Sequence, residues 1–218
     1  MTAPVIAPAA LWVANLAALG ILGMAIRRVP WRRLSQRQLT GWLGASTLLA
    51  ILWQFAADVR PGIAIHLLGA SALCLIARRD KALIGTAIVV LANCANGRMS
   101  WALAGWTWLL AIVPAIYLAN GMLAWSRRQL PANYFVYFFA NGFFGAGLGY
   151  CLGTFCLYAG YVLAGHYPLN ALIDEALPYN LLFAWAEAFT TGLVLAPLVI
   201  YRPEWVESFD DAFYLRDQ

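Results

Sequence analysis

Apolar residues in this chain run in long unbroken stretches, and polar residues gather in short groups between them. Such runs lack the strict alternation of a half-buried strand, and they exceed what the core of a small soluble domain requires. They predict helices at about Pro8 to Ile26, Leu39 to Ala57, Gly62 to Ala77, Ala82 to Asn96, Trp101 to Ala124, Tyr134 to Leu163 and Tyr179 to Tyr201. The third and fourth are short. The fifth carries Pro114 internally, and the sixth is long enough to require tilting or an interruption near its glycines. The connector GHYPLNALIDEALP reads as a re-entrant or interfacial helix between two prolines.

The expected architecture is therefore all-α: a polytopic membrane bundle of about seven transmembrane helices. Residues 1–218 form one transmembrane domain, with a short cytoplasmic tail at 202–218. The separators set its orientation. Twelve of the fourteen Lys and Arg fall on one side, and only Arg60 and Arg98 on the other, so the positive-inside bias places Met1 outside and Gln218 in the cytoplasm. The start of the chain lacks the basic region and small-residue cleavage site of a signal peptide, so the first helix is expected to be retained.

Composition agrees with this pattern. Of 218 residues, 63% are hydrophobic and 11% are charged, too few charges to cover a watery surface. Trp31, Trp42, Trp101, Tyr201 and Trp205 stand where apolar runs meet charged loops, the place of interfacial anchors. The net charge of +4 lies in loops, so it reads as a topology signal and not as a nucleic-acid surface. Cys74, Cys94, Cys151 and Cys156 lie inside apolar segments, where a disulfide framework is not expected. Gly142, Gly145, Gly149 and Gly153 recur at three- and four-residue intervals, which suits a helix-packing seam, or alternatively a substrate-facing stripe.

Few groups within the apolar runs carry chemistry. Glu187 lies in FAWAEAFTTG, and a carboxylate in hydrocarbon must face protein and be bonded, paired or protonated. Asn96 and Asn141 are further polar groups with a structural or transport-path role. His66 falls near the outer end of the third helix, Asn93 and Cys94 near the outer end of the fourth, and the amine of Met1 on the same side. Imidazole, thiolate and amine together suit Co, Ni, Cu or Zn. No GxxxxGK[ST] loop is present, so an ATP-driven cycle requires a partner ATPase. HExxH, GxSxG and a multiple-histidine set are absent too, and catalytic activity of the chain's own is not expected.

Four stretches carry a family resemblance: PWRRL at Pro30 to Leu34, PGIAIHLLGA at Pro61 to Ala70, LPANYFVYFFANGFFGAGL at Leu130 to Leu148, and AEAFTTGLVLAPLVIYRPEWVESFDDAFYL at Ala186 to Leu215. In these the chain resembles the membrane substrate-capture (permease) subunit of energy-coupling factor ABC transporters of the cobalt and nickel type. More closely, it is similar to a bacterial branch of those permeases. The resemblance implies a multi-pass protein of the bacterial inner membrane that captures a transition-metal ion. Its implied partners are membrane lipid, a coupling transmembrane subunit and ATPase subunits.

The resemblance also implies a metal-ligand role for His66 and a match of Glu187 and Arg202-Pro203-Glu204 to the family's glutamate and RPE. The family's amino terminus begins Met-His, whereas here position 2 is Thr2, so its nitrogen-rich site does not carry over intact. A thiol at Cys94 favours a softer ion. Two other readings stay open at this stage: a non-transport scaffold subunit of a membrane complex, or a haem- or copper-binding membrane protein using His66 and Cys94.

Overall fold

The computed structural model describes residues 6–60 and 63–214. Its frame is six long helices: α1 (Pro8–Arg28), α2 (Gln36–Leu52), α3 (Ala70–Ala95), α4 (Trp101–Gln129), α5 (Tyr134–Leu163) and α6 (Leu169–Tyr201). A two-stranded antiparallel hairpin, β1 (Ala57–Arg60) and β2 (Ile63–Ile65), lies between α2 and α3. After α6 come a 3-10 turn, Pro203–Trp205, and a short helix, α7 (Asp211–Tyr214).

The expectation of about seven transmembrane helices is corrected. Among the described residues only α1, α4, α5 and α6 are both long and apolar enough to cross a bilayer. The stretch taken for a third crossing, Gly62 to Ala77, is not one helix. Ile63 and Ile65 turn inward and Ala64 outward on a strand, and an extended segment follows. Helix begins only at Ala70, and the run to Ala77 spans about 12 Å at 1.5 Å per residue. A bilayer core is about 30 Å thick.

At Arg78 the backbone leaves helical geometry (φ 67°, ψ 163°) and the chain turns back on itself. A methyl group on Gly85 would lie 2.9 Å from Leu73, whereas residues so spaced on a straight helix stand about 18 Å apart. α3 is thus a helical hairpin, with Ala70 to Ala77 as its short arm. Met1 and Gln218, expected on opposite faces, both lie outside the described residues.

The connector before the last crossing is likewise no separate re-entrant helix. α6 runs unbroken from Leu169 to Tyr201. Its widened π-turn, Leu172–Ala176, comes just before Pro178, and in α4 the π-turn Trp108–Ile112 comes just before Pro114. Proline has no N–H to give the preceding turn, and a widened turn absorbs that loss.

Small residues let the helices approach. Gly153 on α5 packs so closely on α4 that a methyl there would collide with the Ala111 carbonyl, and one on Gly149 would lie 2.6 Å from the Ser71 hydroxyl. Asn15 pins α1 to the start of α4: its amide donates to the Ala102 carbonyl at 3.0 Å and its oxygen accepts from the Gly105 N–H at 3.0 Å. The outer flank of α1 leaves Trp12, Leu16, Leu19 and Met24 exposed, as a lipid-facing helix does.

The chain end packs against the opening of the α3 hairpin. Ser208 and Glu207 donate their backbone N–H groups to Leu75 and Ile76 at 3.2 and 2.9 Å. Those carbonyls belong to the last turn of the short arm, which has no intrahelical donors for them. Glu207 forms an ion pair with buried Lys81, the Arg127 guanidinium donates to the Ser208 carbonyl at 2.6 Å, and the Tyr137 and Ser208 hydroxyls bond at 2.6 Å. Trp42 is not an interfacial anchor: it is buried and its indole donates to the Lys81 carbonyl at 2.9 Å.

Candidate metal-capture site

The segment from His66 to Gly69 joins β2 to the short arm of α3, and three other elements hold it. The His66 ring lies against Trp53 at the end of α2, with centroids 4.2 Å apart and planes inclined by 50°. The same Trp53 donates its indole N–H to the Leu68 carbonyl at 3.3 Å. Gly69, at φ 62°, takes the left-handed conformation that starts the short arm, and its N–H donates to Glu187 at 2.7 Å. Glu187 is buried on α6, so its carboxylate takes up a helix-start donor that lacks an intrahelical partner.

This arrangement orients the imidazole. Nδ1 of His66 lies 2.9 Å from the Leu67 carbonyl, which only accepts, so Nδ1 carries the proton in the neutral ring. The lone pair is then on Nε2. A backbone carbonyl fixing one ring nitrogen so that the other is free to bind is the usual outer support of a metal-ligating histidine. His66 itself is half-buried.

Gln54 follows Trp53 and links this end of α2 to the long arm of α3, donating to the Asn93 oxygen at 3.3 Å. Asn93 donates in turn to the Val89 carbonyl at 3.0 Å, so both ends of its amide are engaged. Arg98 closes the same end, donating to the Gln54 carbonyl at 2.6 Å. Cys94 is buried on a different face of the arm, its thiol 3.9 Å from the Ser100 carbonyl. Among the described residues no three His, Cys, Asp or Glu side chains gather into a cluster able to hold an ion.

The other polar groups singled out in the sequence are scattered. Met1 lies outside the described residues. Asn96 is exposed at the end of α3, where its backbone N–H donates to the Ala92 carbonyl. Asn141 is buried between α5 and α4: it accepts from the Ser126 hydroxyl at 3.0 Å and donates to the Tyr137 carbonyl at 3.3 Å. Tyr137 also bonds Ser208, so Asn141 belongs to the chain-end region and not to the neighbourhood of His66. Trp53 and Gln54, absent from the sequence-based set of site residues, contact His66 and Asn93. Their signal was an aromatic and an amide side by side at the end of an apolar run.

The sequence profile of the family described as the cobalt uptake substrate-specific transmembrane region matches residues 1–205. The chain belongs to this family. No curated protein and no solved structure matches it. It is accordingly a multi-pass protein of the bacterial inner membrane and the substrate-capture, permease-type subunit of a cobalt/nickel-type energy-coupling factor transporter. In this family member the second residue is Thr, and His66 stands in the PGIAIHLLGA stretch.

Proposed function

We propose that the subunit takes up its transition-metal ion through Nε2 of His66, at the bundle end formed by the 66–69 segment, the end of α2 and the end of α3. The observation that carries this reading is the His66 to Leu67 hydrogen bond at 2.9 Å together with the Trp53 contact, which present Nε2 in a fixed direction. Asn93 and Gln54 are spent on each other and shape the wall. The amine of Met1 and the thiol of Cys94 are the remaining donors. With the thiol included the site suits Cu or Zn, and with nitrogen donors alone Co or Ni.

Release requires partners. The chain has no nucleotide-binding loop, so a coupling transmembrane subunit and ATPase subunits drive reorientation. The broken α3 hairpin fits such a cycle, since discontinuous helices in transporters stand at binding sites and at moving joints.

Calorimetric titration of the detergent-solubilised chain with Co, Ni, Cu and Zn tests the ligand set. The native chain and Cys94→Ser should bind one ion, and His66→Ala should lose at least tenfold in affinity. Equal affinity for His66→Ala and native chain would remove His66 from the site.

A further inference from the structure

At the end of the bundle opposite the one discussed above, the closing turn of α1, the 3-10 turn Trp31–Arg33, the break in α3 and the chain end line an open cavity of about 430 Å³. Its charged lining is unbalanced: Arg28, Arg33, Arg78, Arg79 and Lys81 face two carboxylates, Asp80 and Glu207. Both carboxylates are already committed. Arg79 bonds Asp80 at 3.1 Å and Lys81 pairs with Glu207. Arg28, Arg33 and Arg78 remain, three guanidiniums from three separate elements, none of them paired with either carboxylate of the lining.

Arg78 is also the one non-glycine residue among those described with a positive φ, at 67°. A side chain in that region is strained, and such strain persists where the surroundings enforce it, often at ligand sites. Here it falls in the lining of the cavity, where the α3 hairpin reverses.

We infer that this cavity is a binding site for a phosphate group. Guanidinium forks match phosphate oxygens in pairs, and three of them from separate elements can surround one anion. The surroundings favour a phosphate carried on a lipid. The cavity lies where the apolar length of α1 ends, Met24 and Ile26 are exposed just before it, and half-exposed Trp31 bonds the Ile26 carbonyl at 2.9 Å in the manner of an interfacial anchor. Basic pockets between helices at this depth are suited to anionic headgroups. The bound group bridges α1, the α3 break and, through the Lys81 to Glu207 pair, the chain end.

The test uses the full chain in neutral detergent, titrated separately with short-chain phosphatidylglycerol, short-chain phosphatidylcholine and inorganic phosphate. Phosphatidylglycerol should bind at least tenfold tighter than phosphatidylcholine, and Arg28→Gln/Arg33→Gln/Arg78→Gln should lose at least tenfold. The Lys triple variant should keep part of the affinity, because it retains charge without the fork. Tighter binding of phosphatidylglycerol than of inorganic phosphate supports the lipid as the source; equal binding supports a soluble phosphate in the same site. Should the Gln variant fail to fold, binding to the native chain should still weaken several-fold between low and high salt. Equal affinity for phosphatidylglycerol and phosphatidylcholine, unchanged binding by a folded Gln variant, or salt-independent binding would each overturn the assignment. Capture of the acidic loop of a coupling subunit, in place of phosphate, would overturn it as well.

Discussion

The carboxylate of Glu187 accepts the backbone N–H of Gly69 at 2.7 Å, joining positions 118 residues apart. Through that bond the last long helix fixes the start of the short α3 arm, and so the His66 segment that precedes it. Glu187→Ala leaves the half-buried Gly69 N–H without this acceptor, a loss of about 1–3 kcal/mol. Thermal melting in detergent should register it, and metal affinity should fall with it, whereas Glu187→Gln, whose oxygen still accepts, should retain most of both. An Ala variant with native stability and native metal binding would show that the bond holds nothing in place.

Buried Lys81 pairs with half-buried Glu207 at the opening of the α3 hairpin. Glu207→Ala strands a buried ammonium and should cost about 3–5 kcal/mol, measured by denaturant unfolding. Lys81→Met/Glu207→Leu should cost less than the single change, because it strands no charge. The reverse order would mean that the pair itself, and not the isolated charge, dominates.

Gly153 meets the Ala111 carbonyl with no room for a methyl group. Gly153→Ala should push α5 from α4 at a cost of about 1–3 kcal/mol. Gly121→Ala is the control, since nothing lies within 4 Å of a methyl placed there. Matching melting temperatures for the two variants would contradict the close seam.

Trp53 supports His66 in two ways, by ring contact and by the bond to Leu68. Trp53→Phe keeps the ring and removes the N–H, so metal affinity should fall only a few-fold. Trp53→Ala should lower it at least tenfold as the imidazole loses its backing. Calorimetry on both variants separates the two contributions, and equal losses would refute the ring's part.

The membrane class was legible because apolar runs such as Trp101 to Ala124 leave no soluble alternative. The crossing count was not. Gly62 to Ala77 is apolar except for His66 and Ser71, and composition alone does not distinguish one short helix from a strand, an extended segment and half a helix in succession. The four charges at Arg78 to Lys81 read correctly as a boundary, yet the strained reversal at Arg78 depends on what packs around it.

The candidate site was legible only in part, for a related reason. His66 stood out as a histidine in an apolar stretch, and Glu187 as a carboxylate requiring a partner. That its partner is the Gly69 N–H, or that Ser208 caps Leu75 while accepting from Arg127, are relations between distant segments that no local pattern encodes. Asn93 and Cys94 are neighbours in sequence but about 100° apart around a helix, which is why one meets Gln54 and the other the Ser100 carbonyl.

X-ray absorption spectroscopy of the metal-loaded subunit tests capture by His66 most directly. A zinc-loaded sample should show an imidazole scattering pattern with a nitrogen at about 2.0–2.1 Å, absent in His66→Ala and retained in Cys94→Ser. An imidazole signal that persists in His66→Ala, or a native spectrum without imidazole, would contradict it.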